Sequence, residues 1–526
     1  MRNSFGWLVG AAMVAGAAAA SQAQTVLKVV PQSDLRVLDP IFGGGTIIRN
    51  HGAMIYDQLF ALDLNLAPQP QMVESFTQSA DKLTYTFKLR PGLAFSDGDP
   101  VRPEDVIQSL ERWSKRDIMG IALYAKVASV AKVDDRSFRM TLREPYGQVF
   151  ESLARMNSNM PFIMKEQVAK TDAFQQVQVH IGSGPFVFQE KEWVPGSKVV
   201  YTKNTKYVPR AEPASFGAGG KVVKVDRVEW LIMPDAATTA AALQAGEVDY
   251  WETPAVDLVP VLKRNPNVVV VSTDPWGLQT MIRPNHIHPP FNHPKARQAL
   301  LWAVDQEEYL RAAAGSDPQF WKVCPAAFVC GTPFESDIGA EAVREKDPAK
   351  RIAMGKRLLE ESGYKGDPIV VLDPTDFPMF HAAALLTAEN LRKIGAKVDI
   401  QAIDWATMLQ RRTKKDAPAA GGWNIFFTSE NGFQAATPWA TAAATDCDKA
   451  WHGWPCDDEI QKLRAAWIAE PDLEKQKAIV VQLQKRQYEV LPFISFGQVF
   501  QPIAYRASLE GVMRSPSSFY WNIAKK

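Results

Sequence analysis

Apolar and polar residues alternate strictly in LTYTFKL at residues 83–89, which predicts a β-strand with one buried face. A helical pattern begins at Pro103, where Val106, Leu110 and Trp113 recur three or four residues apart behind two acidic residues. The first half is also predicted to contain a strand at 26–30 and helices at 47–59 and 236–245. Strands and helices are therefore mixed in this half of the chain.

The second half shows a more regular order of strands and helices. Strands are predicted at 369–372, 397–403 and 423–428, and helices at 380–394 and 405–414. A strand, a helix and a second strand of these lengths are typical of βαβ crossovers, which place parallel strands in one sheet. We therefore expect an α/β fold. The tail after residue 500 is too short to be a domain, so we expect it to return to the first half of the fold.

Residues 1–23 have the features of a secretory signal peptide. Arg2 supplies a positive charge, residues 6–20 are a run of Gly, Ala, Val, Leu, Met and Trp, and small residues precede the expected cleavage after Ala23. The alternative is a membrane anchor, but a run this short and this rich in Gly and Ala does not span a bilayer of about 30 Å. We expect an exported mature protein that begins at Gln24.

Composition and charge narrow the class of protein. The chain has 526 residues, of which 46% are hydrophobic and 22% are charged, so it is expected to bury a large core. Lys and Arg number 59 against 58 Asp and Glu, which leaves no positive field to hold a nucleic acid. At about 100 to 200 residues per domain, this length predicts three domains or two large lobes, with room for a ligand cleft between them.

Motifs of common enzymes are missing from the sequence. Neither the G-x-S-x-G pattern of hydrolases nor the H-E-x-x-H pattern of zinc proteases occurs. His286 and His288 stand among prolines in what we expect to be a solvated loop, so no metal or cofactor is predicted. An exported α/β hydrolase is kept as an alternative, but its nucleophile and base are not identifiable in the sequence.

The four cysteines fall into two local pairs, Cys324 with Cys330 and Cys447 with Cys456. In an oxidising compartment, two short disulfides are the simplest of the three possible pairings. A zinc site would need the tighter C-x(2–4)-C spacing, which neither pair has.

Four segments together resemble one family. They are FSDGDPVRPEDV at 95–106 with SLER at 109–112, GSGPF at 182–186 with WVPG at 193–196, PFNHPKARQA at 290–299, and the stretch from Asp347-Pro348 to Gly363-Tyr364. In order and spacing they are similar to the family 5 extracellular solute-binding proteins, the dipeptide and oligopeptide receptors of ABC importers. The resemblance covers nearly all of the mature chain.

The resemblance implies a periplasmic binding protein with two α/β lobes, a hinge and an extra subdomain in lobe one. Lobe one would comprise residues 24–275, with the subdomain at 56–177, and lobe two residues 276–494. Residues 495–526 would return to lobe one.

The resemblance also implies what the protein does. It would act in the periplasm as a monomer that captures a small solute, a peptide or peptide-like molecule, between the lobes. It would then deliver the solute to ABC permease subunits at the inner membrane, with no nucleic acid, cofactor or catalysis involved. Relatives on the same scaffold also take opines, sugars or metal chelates, which leaves the ligand open.

Candidate ligand-binding residues come from two sources. Ligands of open parallel sheets bind beyond the carboxyl ends of the strands, and glycines of lobe one allow close backbone approach. Dipeptide receptors of the family hold the ligand's α-ammonium with an Asp in the loop after the strand corresponding to 423–428, where the nearest acidic residue here is Glu430. The candidates are Gly45, Thr46, Ile47, Thr375, Asp376, Trp405, Glu430, Phe433 and Trp439.

Overall fold

The computed structural model describes residues 24–157 and 159–526 and consists of two α/β lobes, each built around its own sheet. The predicted fold class is confirmed. The signal peptide predicted for residues 1–23 lies outside the described residues.

Lobe one opens with β1 (Val26–Val30) and, after a glycine-rich loop, α1 (Thr46–Ile55). The strand has the predicted bounds, but the helix ends at Ile55 and not at residue 59. The chain is extended at Tyr56, and a bridge between Gln58 and Phe162 draws the following residues into the subdomain.

The extra subdomain is built around a four-stranded antiparallel sheet in the order β4–β5–β7–β6. Its elements are β2 (Phe60–Leu62), β3 (Pro68–Pro70), β4 (Val73–Gln78), β5 (Thr84–Leu89), α2 (Pro103–Trp113), α3 (Ile118–Lys126), β6 (Val127–Lys132), β7 (Ser137–Leu142), α4 (Val149–Leu153) and α5 (Glu166–Ala169). The alternation at 83–89 gives β5, whose apolar residues are buried at every second position.

The chain then completes most of lobe one. These elements are β8 (Phe186–Phe188), β9 (Lys198–Lys203), β10 (Arg227–Leu231), α6 (Ala236–Ala245), β11 (Tyr250–Trp251), α7 (Val259–Leu262) and β12 (Val268–Val271). α6 has the predicted bounds because Asp235 caps its first turn and Gly246 ends it in the left-handed region, at φ 81°.

Lobe two follows as a longer series of strands and helices. Its elements are β13 (Leu278–Pro284), α8 (Pro294–Ala303), α9 (Gln306–Ala314), β14 (Trp321–Lys322), α10 (Glu341–Arg344), α11 (Pro348–Glu361), β15 (Ile369–Pro374), α12 (Pro378–Lys393), β16 (Val398–Ile403), α13 (Trp405–Arg411), β17 (Ile425–Asn431), α14 (Gly432–Ala435), α15 (Asp458–Ala469), α16 (Leu473–Val490) and β18 (Ile494–Val499). Both predicted cysteine pairs are bonded in this lobe, Cys324 with Cys330 and Cys447 with Cys456.

The tail returns to lobe one as β19 (Ile503–Arg506), followed by β20 (Leu509–Glu510) and β21 (Ala524–Lys525). The sheet of lobe one has the order β12–β19–β11–β1–β10–β9–β8. The second crossing between the lobes lies after Val499, whereas the sequence places it after residue 494, because β18 stays in the sheet of lobe two to its last residue.

The sheet of lobe two has the order β14–β18–β13–β17–β15–β16. The strands predicted to form βαβ crossovers are parallel as expected, but the sheet as a whole is mixed. β15 is parallel to β16 and β17, whereas β13 is antiparallel to both β17 and β18. β13 and β18 are antiparallel because both adjoin the hinge. The chain runs away from the hinge along β13 and returns to it along β18.

Candidate functional site

The two lobes meet at the hinge through an aromatic contact. The ring of Phe216 in lobe one lies 5.7 Å from that of Trp276 and 5.9 Å from that of Phe433 in lobe two. Beside them, the Gly432 N–H donates to the carbonyl oxygen of Gly277. A Cβ at Gly432 would lie 2.3 Å from the Trp276 carbonyl oxygen, so this close approach requires glycine.

The lobes also touch on the side away from the hinge. Gly147 of the subdomain lies against the end of α15, where a Cβ would meet the carbonyl oxygens of Ile468, Ala469 and Glu470 at 3.0 Å. The two lobes therefore contact each other at two places along the cleft.

The larger space is a cavity of about 260 Å³ between the subdomain and lobe two. Its wall is mainly apolar, and lobe two supplies the aromatic side chains. They are Phe334, Phe433, Trp439 and Trp467. An apolar wall with few polar groups is typical of a small-molecule site.

Polar atoms on the wall of this larger cavity have no protein partner. Gln148 is 1% exposed, yet neither its amide oxygen nor its amide nitrogen has a hydrogen bond within the described residues, and the same holds for the indole N–H of Trp439. Burial raises the pKa of Glu151, on the same wall, to about 7. Unpaired buried groups are costly, and a bound solute with amide-like groups would satisfy them.

A second, smaller cavity of about 110 Å³ lies at the hinge. We call it the hinge cavity. Thr46, Arg49 and Asn50 of α1 form one wall, Glu252 and Asp274 of lobe one form another, and Asn431 of lobe two closes it. Phe433 separates the two cavities, because its ring lines the larger one and lies 5.7 Å below the Arg49 guanidinium.

The charges of the hinge cavity are strongly perturbed by burial. Burial lowers the pKa of Arg49 to about 10, although Asp274 and Glu252 oppose that shift. Burial also raises the pKa of Asp274 to about 6, against hydrogen bonds from the Trp276 and Gly277 main chain and the charge of Arg49. Perturbed groups of opposite sign in one cavity are typical of a binding site.

Three of the residues predicted from the sequence line these cavities. Thr46 lies in the hinge cavity, while Phe433 and Trp439 line the larger one. Gly45 precedes α1 as its N-cap with extended backbone, and Ile47 is buried in the core of lobe one.

Thr375, Asp376 and Trp405 line neither cavity. They follow β15 and β16, which lie on the far side of the sheet from the hinge strands. Asp376 accepts a 2.6 Å hydrogen bond from the Trp405 N–H, and the Trp405 ring packs 4.8 Å from Phe377. These contacts form a local cluster at the sheet edge.

Glu430 lies in a strand and not in the loop that the sequence predicts, since β17 continues to Asn431 and pairs Glu430 with Gln279. Its Oε1 accepts a hydrogen bond from the Ala442 N–H at 3.2 Å, while its enclosed Oε2 has no partner. Burial raises the pKa of Glu430, against the charges of Arg283 and Arg155. Glu430 lines neither of the two cavities.

The sequence interpretation missed Arg49, Gln148 and Asp274. A signal existed for Arg49, a charged residue that directly follows Ile47 and Ile48 in the first turn of α1. Gln148 and Asp274 stand in connecting segments, where the sequence pattern carries no such signal.

The described residues contain neither a membrane-spanning helix nor a group of metal ligands. No helix in residues 24–157 or 159–526 is both long and apolar enough to cross a membrane. Over the same residues, His, Cys, Asp and Glu side chains do not gather in threes as metal ligands would.

Comparison with known proteins gives consistent matches. The family described as "Bacterial extracellular solute-binding proteins, family 5 Middle" matches residues 67–444. A probable peptide ABC transporter periplasmic-binding protein of Sinorhizobium fredii is 38% identical over 496 residues, covering 94% of this chain and 92% of that protein. The glutathione-binding protein of Salmonella typhimurium is 27% identical, covering 82% of this chain and 80% of its own length.

Solved structures share the fold. The binding protein MoaA of Agrobacterium tumefaciens R10, in complex with mannopinic acid, superposes with a TM-score of 0.75 at 23% identity, covering 96% of this chain and 100% of that one.

Proposed function

Because the chain belongs to the family 5 bacterial extracellular solute-binding proteins, we propose that it captures a peptide or peptide-like solute between its lobes and delivers it to an ABC importer. The mature protein acts in the periplasm as a monomer, and permease subunits at the inner membrane are its partners. The name of the Sinorhizobium fredii relative supports a peptide, and that of the Salmonella typhimurium relative supports a peptide-like molecule.

One observation supports capture between the lobes most directly: side chains with unpartnered buried polar atoms line an apolar cavity walled by both lobes. The amide of Gln148 comes from the subdomain and the indole of Trp439 from lobe two. A solute that bonds to both is held fully only when the lobes are closed, so binding shifts the population toward the closed form.

The solute-contacting residues that we propose are Thr46, Phe433 and Trp439 together with Gln148. Phe433 and Trp439 pack against apolar parts of the solute, and the free donors and acceptors of Gln148 and Trp439 bond to its amide groups. The role requires binding and release with no bond broken.

Scattering and mass spectrometry test this function together. Mature protein purified without denaturation is analysed by native mass spectrometry for a co-purified solute, then stripped by unfolding and refolding. Small-angle scattering of the stripped protein should give a larger radius of gyration than that of the loaded protein. A tightly bound solute with no change in radius would contradict capture by closure.

A matched pair of variants separates cavity contact from general damage. Trp439→Phe removes the indole N–H from the larger cavity, whereas Trp405→Phe alters the cluster at the sheet edge. We expect only the first to weaken binding of the co-purified solute. Incubation with the same solute should return it intact, and its cleavage would favour a hydrolase.

A further inference from the structure

The guanidinium of Arg49 is buried in the hinge cavity, and within the part of the chain that the structure describes it has no hydrogen-bond partner. Its side chain belongs to a residue that is 2% exposed, and its Nε is fully enclosed. Within residues 24–157 and 159–526, no protein group accepts a hydrogen bond from its guanidinium, and neither Asp274 nor Glu252 forms an ion pair with it. A guanidinium carries five donors, so this arrangement is costly unless something else occupies the cavity.

Two buried arginines of lobe two show how the fold satisfies a structural guanidinium. Arg283, which is 0% exposed, donates to the carbonyl oxygens of His452 and Ala442 at 2.8–3.1 Å. Arg297 donates to the carbonyl oxygens of Val490 and Phe291 at 2.7 and 2.6 Å. Arg49 lacks contacts of this kind although it is equally enclosed.

The two carboxylates near Arg49 differ in how many hydrogen bonds they accept from the protein. Glu252 accepts hydrogen bonds from the Gln32 N–H at 2.8 Å and from the Tyr520 hydroxyl, with the Asn50 amide 3.4 Å away. Asp274 accepts from the main-chain N–H of Trp276 at 2.9 Å and has no side-chain partner among the described residues. Arg49 and Asp274 are thus opposite charges on one small cavity, unpaired with each other.

We infer that Arg49 binds a carboxylate of the captured solute and that Asp274 faces its ammonium group, so that the hinge cavity holds an α-amino-acid head group. This rests on the proposed function. A cavity of about 110 Å³ accommodates charges that lie close together, as they do on the α-carbon of a free amino acid or a γ-glutamyl peptide. Ordinary peptides separate these charges at their two ends. The rest of the solute passes Phe433 into the larger cavity.

A capture experiment with defined pools tests the head group. One pool contains the free amino acids, glutathione and a casein digest. It is prepared in three forms: untreated, methyl-esterified and N-acetylated. Stripped protein is incubated with each pool, and the bound solutes are identified after denaturation. We expect capture from the untreated pool of solutes with an α-amino-acid head group. Esterification should reduce capture at least about 30-fold, because a buried guanidinium then loses its counter-charge. N-acetylation should reduce it by about 10-fold or more.

Variants assign the effect to residues. Arg49→Gln should capture less solute from the untreated pool, by the same factor by which esterification reduces capture by wild type. Asp274→Asn should capture equal amounts of solute from the untreated and the N-acetylated pools. Undiminished capture by Arg49→Gln, capture indifferent to esterification, or no capture from any pool overturns the inference.

Thermal unfolding of the ligand-free proteins distinguishes a binding role from a structural one. Arg49→Gln should unfold at the same temperature as wild type or higher, since it removes a buried charge that has neither a hydrogen bond nor an ion pair among the described residues. Arg283→Gln, the matched control, should unfold at a lower temperature because it leaves carbonyl oxygens unpaired. A lower unfolding temperature for Arg49→Gln overturns the inference.

The failure of this inference can be told apart from the failure of the proposed function. If the solute that co-purifies has no carboxylate, this inference fails while the proposed function stands. If no solute binds by any method, both fail.

Discussion

Two buried arginines, Arg112 in the subdomain and Arg49 in lobe one, lie in opposite environments. Arg112 donates to both carboxylate oxygens of Asp39, at 3.2 and 2.8 Å, and to the carbonyl oxygens of Gln175 and Thr171. Arg49 is as deeply buried, at 2% against 1% exposure, but its guanidinium has no hydrogen bond to any group in residues 24–157 or 159–526.

The difference between the two arginines indicates that Arg112 stabilises the fold, whereas Arg49 is placed to bind a ligand. The pair of Arg112 and Asp39 joins the subdomain to lobe one and is satisfied from within, so it needs nothing from solvent. The hinge cavity keeps a charge that the fold does not satisfy. A fold retains such a cost where a ligand relieves it, because unpaired buried charges otherwise destabilise the native state.

The largest expected effect follows from breaking the satisfied pair. Arg112→Met leaves Asp39 buried and unpaired, which should lower the free energy of unfolding by about 3 to 5 kcal/mol. Urea unfolding followed by tryptophan fluorescence measures it. The double variant Arg112→Met, Asp39→Leu removes both charges and should recover most of the loss; a double variant as unstable as the single one would contradict this account of the pair.

A smaller effect is expected from the disulfide between Cys447 and Cys456, in the segment of lobe two that follows Trp439. Replacing both by Ser opens a loop with a sequence separation of 9. In the chain-entropy model this should cost about 2 to 3 kcal/mol of unfolding free energy. Hydrogen exchange should increase around 437–457 and stay unchanged around Arg112, whereas increased exchange throughout lobe one would show that the two regions are not independent.

The sequence predicted local elements better than it predicted the site. β1 and α6 have the expected bounds because alternation, an Asp cap and a terminal Gly act within a few residues. Phe433 is predicted as an aromatic wall of an apolar pocket, and the structure places it in the larger cavity. Another prediction rests on the rule that ligands bind beyond the carboxyl ends of parallel strands. Thr375 and Asp376 were selected by this rule, but the order of the strands, which residue patterns do not encode, places them at the sheet edge.

The unsatisfied state of Arg49 could not be predicted at all. It depends on which groups of β17 and of the segments after β11 and β12 come near α1, and these groups are far apart in sequence. A helix pattern can predict that a charged side chain is buried. Whether that side chain finds a hydrogen-bond partner depends on the whole fold.

The pH dependence of solute binding tests whether the Asp274 carboxylate pairs with an ammonium group. Its pKa in the ligand-free protein is raised to about 6, so its carboxyl becomes neutral as the pH falls below that value and no longer pairs with an ammonium group. Affinity should fall by about 10-fold between pH 7.5 and pH 5. Calorimetry on wild type and Asp274→Asn checks this, and the variant should be weaker and nearly independent of pH. Arg49 stays protonated throughout, and Glu252, whose pKa burial also raises, is common to both proteins.

The same raised pKa has an opposite consequence for the stability of the ligand-free protein. Because the folded pKa of Asp274 lies above its ordinary value of 3.8, its carboxyl contributes stability that is fully present below that value and is lost as the pH rises through about 6. Ligand-free wild type should therefore gain stability relative to Asp274→Asn as the pH falls from 7 to 4.

The smallest effect is expected at Glu430, which the sequence makes the anchor for an ammonium group. Its carboxylate bonds to the Ala442 N–H and lies near Arg283, and its side chain lines neither cavity. Glu430→Gln keeps the shape and the hydrogen bond, so affinity for the co-purified solute should change by less than about threefold, under 1 kcal/mol. If Glu430→Gln instead weakens binding about 30-fold while Asp274→Asn has no effect, the ammonium group lies beside β17, and the hinge cavity holds only the carboxylate.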